Sequence, residues 1–226
     1  MLGVVTGLAV ERDCLQALPV EDHRSSRCCG PGPKAAEKAA VALLGEGCQA
    51  LLSFGIAGAL DEQLRPGDVV LAEAVVTERE ESFATDPAWR RRLYARLETT
   101  RGVRPGRLLG CDYPLLSKSA KHAASSRHAV VAVDMESHAV GRAARRSGVP
   151  FMAMRAVADP SDRAIPAWLT KAIDASGKPR VSVVAVGALA HLSDVPQLFR
   201  LARDQRAALR ALRRAAVDAG PLFACR

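Results

Sequence analysis

Val130-Val131-Ala132-Val133-Asp134-Met135-Glu136-Ser137-His138-Ala139-Val140, with Phe151-Met152-Ala153-Met154-Arg155-Ala156-Val157-Ala158-Asp159 just downstream, decides how this chain folds. Four apolar residues running into Asp134 read as a buried strand. Glu136 then opens an alanine-rich helical run that closes at Gly148-Val149-Pro150. The second apolar run carries Arg155 inside it and Asp159 at its end, and reads as another strand. Strand, helix and strand over about thirty residues predict a βαβ unit, its strands parallel and their carboxyl ends on one sheet edge. That geometry gathers Asp134, Glu136 and Asp159 at one crevice, the place where open α/β sheets take ligands. Taken singly, a carboxylate at a helix N-terminus is ordinarily a cap, and an Asp before Pro ordinarily starts a turn. An arginine within a buried strand needs a partner. One arginine and three acids converging on a strand edge favour a site.

Working outward, strands alternate with helices along the whole chain. This predicts a single α/β domain over residues 1–226, a three-layer α/β/α arrangement with a mixed, mainly parallel central sheet. Hydrophobic residues make up 49% and aromatics 4%, so Val, Leu and Ala must fill the core. The net charge of +8, from 32 basic against 24 acidic residues, invites an anionic partner: nucleic acid, phosphate or a membrane surface. The basic residues fall in short runs such as Arg90-Arg91-Arg92, without interleaved aromatics, which reads as solvated helix faces and not as a nucleic-acid surface. Six cysteines show no metal-ligand spacing, so no metal site is expected, and they read as free thiols of a reducing cytoplasm. No apolar run approaches ~20 residues, the length of a membrane span. Pro196 to Ala219 reads as an amphipathic helix with an apolar side of leucines and a basic side of arginines. Core packing with a solvated basic face explains it, and peripheral contact with an anionic membrane is the alternative.

Leu2 to Thr6 is the first strand, and Glu11 lies just beyond its carboxyl end. Residues 19 to 29 look irregular. Gly30-Pro31-Gly32-Pro33-Lys34 then feeds a helix from about Ala35 to Gly45, a layout whose free backbone N–H groups can cradle an anion. Gly30, Gly32 and Ala35 formally match G-x-G-x-x-A, but no apolar strand precedes them and two prolines remove donors. Ala50 to Phe54 is a strand, and Gly55 and Gly58 straight after it suggest close approach of backbone to ligand. Val69 to Thr77 is a strand and Pro87 to Leu97 a helix; a short strand ending at Gly110 carries a polar tip with Tyr113. Helices are expected over 117–125, 165–175 and 181–192.

In order along the chain stand Gly7-Leu8-Ala9-Val10-Glu11, Cys29-Gly30-Pro31-Gly32, Ser53-Phe54-Gly55-Ile56-Ala57-Gly58, Pro66-Gly67-Asp68, Val133-Asp134-Met135-Glu136-Ser137, and Arg155 with Asp159. Over roughly residues 1 to 160 this resembles the nucleoside phosphorylase/nucleosidase superfamily, especially the 5′-methylthioadenosine/S-adenosylhomocysteine nucleosidases. The short N-terminal half and arginine-rich tail are most similar to the hopanoid-associated phosphorylases. The resemblance implies cleavage of the bond between adenine and the ribose of a 5′-substituted nucleoside, with adenosylhopane as the sharpest substrate. It implies Asp159 as the acid at the purine edge, Glu136 as acceptor for the ribose hydroxyls, and Glu11 as the group that positions water. Met135 would pack on the sugar and Arg155 orient the carboxylates. Gly55 and Gly58 would line the substrate, and Tyr113 is a candidate for stacking on the base. Ser53 stands where phosphorylases carry an arginine, while Arg24, Arg27, Gly30 and Gly32 remain candidates for holding phosphate. Hydrolysis and phosphorolysis therefore both stay open, with water or inorganic phosphate as co-substrate and no other cofactor. A homo-oligomer, commonly a dimer, is implied as well. The rival class is a nucleoside-binding module without catalysis, which the presence of all three acids speaks against.

Overall fold

The computed structural model describes residues 1–19, 25–100 and 102–225. In chain order its elements are β1 (Leu2–Thr6), α1 (Ala9–Cys14), β2 (Ser26–Cys28), α2 (Pro33–Gly45), β3 (Ala50–Ala59), β4 (Val69–Thr77), β5 (Ser82–Ala84) and α3 (Pro87–Leu97). Then follow β6 (Val103–Gly110), α4 (Lys118–His128), β7 (Ala132–Asp134), α5 (Ser137–Ser147), β8 (Phe151–Asp159), α6 (Val181–Ala190) and α7 (Val195–Ala219).

β3 and β8 are the spine, paired in parallel from Leu51 opposite Phe151 to Gly58 opposite Asp159. Both are apolar nearly throughout because both faces are covered. On one face Leu52, Phe54, Met152, Met154 and Ala156 join the core beneath α3 and α7. On the other, Leu51, Ala57, Ala153 and Val157 meet α2 and α5. Small residues on those two helices, Ala36, Ala39 and Ala40 against Ala139, Ala143 and Ala144, let them pack closely together and onto the sheet. Three layers result, as the alternation of strands and helices predicts. The sheet is mixed: β3 pairs parallel with β1 and β8 and antiparallel with β7, and β4 pairs parallel with β6 and antiparallel with β5 and β8. With β6 parallel to β7, strands β3, β7, β6, β4 and β8 close into a ring, and β1, β2 and β5 hang outside it.

The βαβ expectation fails in one respect. β7 and β8 are not parallel neighbours; β3 lies between them, antiparallel to one and parallel to the other. The reason is the length of β3, which runs on through Gly55 and Gly58 to Ala59 instead of stopping at Phe54. Val133 and Asp159 both lie opposite Gly58, so the acids still meet, from two sides of one strand.

Other boundaries differ for local reasons. Ser26–Cys28, expected to be irregular, adds to the edge of β1. The helix expected over 165–175 is only a 3-10 turn at Ala167–Ala172, because the chain reverses at Gly177 and Ile173 bridges Pro179. α2 starts two residues early, at Pro33, and α4 covers 118–128. Cys14, Cys28, Cys29, Cys48 and Cys111 are free thiols.

Candidate active site

A cavity of about 260 Å³ opens where the carboxyl ends of β1, β3, β7 and β8 come together. Glu11, Met135, Glu136, Gly58, Tyr113 and Asp159 line it, with an apolar wall that includes Leu8, Ile56, Leu115, Ile165 and Ile173. A larger hollow of about 620 Å³ lies against Arg210, Arg213 and Arg214 and holds none of these acids, so the smaller cavity is the chemically competent one.

Glu11 sits in the first turn of α1 and is buried. Its Oε2 accepts the backbone N–H groups of Gly7 (2.9 Å) and Leu8 (2.8 Å), and its Oε1 accepts that of Ile56 (2.8 Å). Burial pushes its pKa up, while Arg155 and those N–H groups hold it down. Cap and site are therefore the same carboxylate.

Arg155 is completely buried and gathers the neighbouring acids around it. Its guanidinium is ion-paired with Asp134 and lies 3.6 Å from Glu136 Oε2. It donates to Ser53 Oγ (2.7 Å) and Ser137 Oγ (3.1 Å). Burial opposes its charge, but Asp134, Glu136 and Glu11 outweigh that and raise its pKa. Ser53 is thus a partner of Arg155. Asp134 also accepts the Ser137 N–H at the start of α5 (3.1 Å), so this acid is a helix cap and a counter-ion. Gly55 is required here: a Cβ on it would lie 2.6 Å from Glu11 Oε1 and collide with Arg155.

Glu136 precedes α5. Its Oε1 accepts the N–H of Gly32, at the N-terminus of α2, at 2.9 Å. The glycine loop therefore does meet an anion, but the anion is the protein's own carboxylate. Burial, with Asp134 and Glu11 nearby, pushes the Glu136 pKa up to about 7 against the pull of Arg155 and Gly32.

Asp159 ends β8, where the register slips so that Asp159, not Ala158, lies opposite Gly58. Bulges of this kind re-aim side chains beside sites. Burial raises its pKa, and the ammonium of Lys121 opposes the rise. Lys121 is ion-paired with Asp159 and also donates to the carbonyls of Pro160 and Arg163, both at 3.0 Å. Sequence reasoning missed this lysine. It is the sole buried residue of α4, and within a run of Ser, Ala, His and Lys nothing marks it as such.

The remaining candidates divide. Met135 and Gly58 line the cavity. Tyr113 lines it too but is half exposed, and its hydroxyl donates to Glu78, which pushes its pKa up to about 12. Arg27 is not at the cavity; it pairs with Glu46 on the surface, because β2 is an edge strand and its side chain points to solvent. Gly30 packs under the Ala175 carbonyl at φ +83°, where a side chain would collide, and it does not line the cavity. Arg24 lies outside the described residues.

A nucleosidase- or phosphorylase-type enzyme is the class this fold and its buried acids define. Residues 24–190 match the phosphorylase superfamily, and the chain belongs to it. No curated protein matches the chain. Solved structures share the fold across nearly its whole length. 5′-Methylthioadenosine/S-adenosylhomocysteine nucleosidase from Neisseria meningitidis, in complex with methylthio-immucillin-A, superposes with a TM-score of 0.71 at 16% identity, covering 96% of this chain and 97% of its own. S-adenosylhomocysteine nucleosidase from Streptococcus pyogenes, in complex with 5-methylthiotubericidin, gives 0.69 at 19%, covering 97% of each. A futalosine hydrolase mutant from Helicobacter pylori gives 0.68 at 16%, covering 97% and 99%.

Proposed function

We propose that the protein hydrolyses the N-glycosidic bond of a 5′-substituted adenine nucleoside, releasing adenine and the free ribosyl product, and that adenosylhopane is its substrate. The observation that carries this reading is the convergence of Glu11, Glu136 and Asp159 on a single cavity, with Arg155 buried beside Glu136. Cleavage sends the C1′–N9 electron pair onto the purine and leaves positive charge on the sugar. Asp159, its pKa raised by burial, supplies the proton to the leaving purine. Glu136 accepts hydrogen bonds from the ribose hydroxyls. Glu11 takes a proton from the water that attacks C1′, and the cluster's negative charge stabilises the sugar cation as it forms. Met135 packs on the sugar, and Arg155 fixes the acids in place.

Water is favoured over phosphate by the cations. Arg155 is saturated by Asp134, Glu136 and two serines, Lys121 is committed to Asp159, and Arg27 lies on the surface. Among the described residues, a phosphate dianion in the cavity would meet no uncommitted cation. The apolar wall, with Ile165 and Ile173, suits an apolar 5′ substituent. Methylthioadenosine and S-adenosylhomocysteine are the alternative substrates. A cytoplasmic, homo-oligomeric enzyme with water as its only co-substrate belongs to the same proposal.

The test is adenine release, followed by chromatography, from adenosylhopane and from methylthioadenosine, each with and without phosphate. Release indifferent to phosphate, and abolished in soluble Glu136→Ala and Asp159→Ala variants, is expected. A sugar 1-phosphate product would overturn hydrolysis, and full turnover by either variant would overturn the site.

A further inference from the structure

α6 has the sequence VSVVAVGALA, apolar on all sides of the helix and without a charge. A helix of that kind ordinarily lies in a core. In this chain none of its residues is buried: Val181, Val186 and Leu189 are 74%, 67% and 75% exposed. Leu192 and Phe199, in the turn and helix that follow, are 69% and 74% exposed and extend the patch. The helix is held from beneath. Gly187 lies against the Trp168 ring, Trp168 stacks on His191 at 5.9 Å, and its indole N–H donates to Asp194 at 3.0 Å. α6 is therefore held by the turns on either side of it, at Ala167–Ala172 and Leu192–Asp194, with its apolar surface outward.

The exposed charges around it are mainly basic. Lys171, Lys178 and Arg180 lead into α6, and Arg200 follows Phe199; all four are exposed. The two acids of the same stretch are turned to structural work: Asp174 accepts the N–H groups of Ser176 and Lys178, and Asp194 accepts from Trp168. An apolar centre with a cationic rim is the pattern of an interfacial helix on an anionic bilayer. A second copy of the chain fits it less well, since a two-fold contact on this face would set the same cationic rim against itself. Among the described residues no single helix is long and apolar enough to cross a membrane; α6 and α7 pass that test only as a pair bent by 108°, and α7 is packed on the core, which favours a peripheral contact.

We propose that α6, with Leu192 and Phe199, is the surface on which this protein docks to anionic phospholipid membranes. The basic face of α7, which the sequence offers for that role, then supplies only electrostatic support. This inference is independent of the reaction proposed above. The experiment is co-sedimentation of the full chain with phosphatidylcholine vesicles, with and without phosphatidylglycerol. Binding to the phosphatidylglycerol vesicles, weakened by salt and reduced at least about tenfold in a V186D/L189D variant, is the expected result. The substituted side chains are exposed, so an unchanged thermal melt shows that the fold survives. Failure to sediment, equal binding by the variant, or a dimer in sedimentation velocity that V186D/L189D dissociates would overturn the proposal. Adenine release from detergent-dispersed adenosylhopane in vesicle-free buffer is measured alongside; its absence would sink the reaction and leave the vesicle result standing.

Discussion

The Lys121 ammonium is paired with Asp159, whose pKa burial raises, and it opposes that rise. Lys121→Met removes the charge that holds the Asp159 pKa down, and the carboxyl should then stay protonated to higher pH. The alkaline limb of kcat/KM for adenine release is expected to move to higher pH. A loss of activity equal at every pH would mean that the lysine only shapes the backbone around Pro160. Glu136 bears on stability as well. Its folded pKa of about 7 lies above the ordinary 4.5, so the native state holds the proton more tightly, and stability falls as pH rises between those values and levels off above. Glu136→Gln should flatten that slope in thermal melts run from pH 4 to pH 8, gaining most over the parent above pH 7. Gly55→Ala should abolish turnover, since its methyl group meets Glu11 and Arg155, neither of which has room to move.

At the scale of elements, caps and small faces hold the site's supports in place. Asp86 accepts the Trp89 N–H at 2.7 Å at the start of α3, and the Trp89 indole in turn donates to the Phe223 carbonyl at 2.7 Å. Asp86→Ala should cost about 1 kcal/mol in urea unfolding. α7 matters more, because Ala208, Leu212 and Ala215 cover the face of β8 that carries Met152 and Met154. Leu212→Ala should destabilise by about 2–5 kcal/mol, the cost of a cavity in that layer. Much of this was legible beforehand. The leucine spacing of α7 and the alanine run of α5 are local signals, set by side chains three or four residues apart. The short β2 and β5 were not legible, since three-residue strands exist only through the neighbours they pair with.

The whole molecule turns on β3, whose ten residues reach β1, β7 and β8 and hold the ring together. A chain ending at Asp194 should fail to give a cooperative thermal transition, because β8 and β3 would lose the layer that α7 supplies. From sequence alone the acids at 11, 136 and 159, the buried Arg155 and the layered α/β class follow, since strand-end carboxylates and apolar runs are written locally. Only the tertiary structure decides that β7 and β8 flank β3 in opposite directions, that Gly32 is turned toward Glu136, that Arg27 faces solvent and that Lys121 is buried against Asp159. Each of these depends on contacts between residues far apart in the chain, and no local pattern encodes a partner that arrives from 38 positions away, as Lys121 does at Asp159.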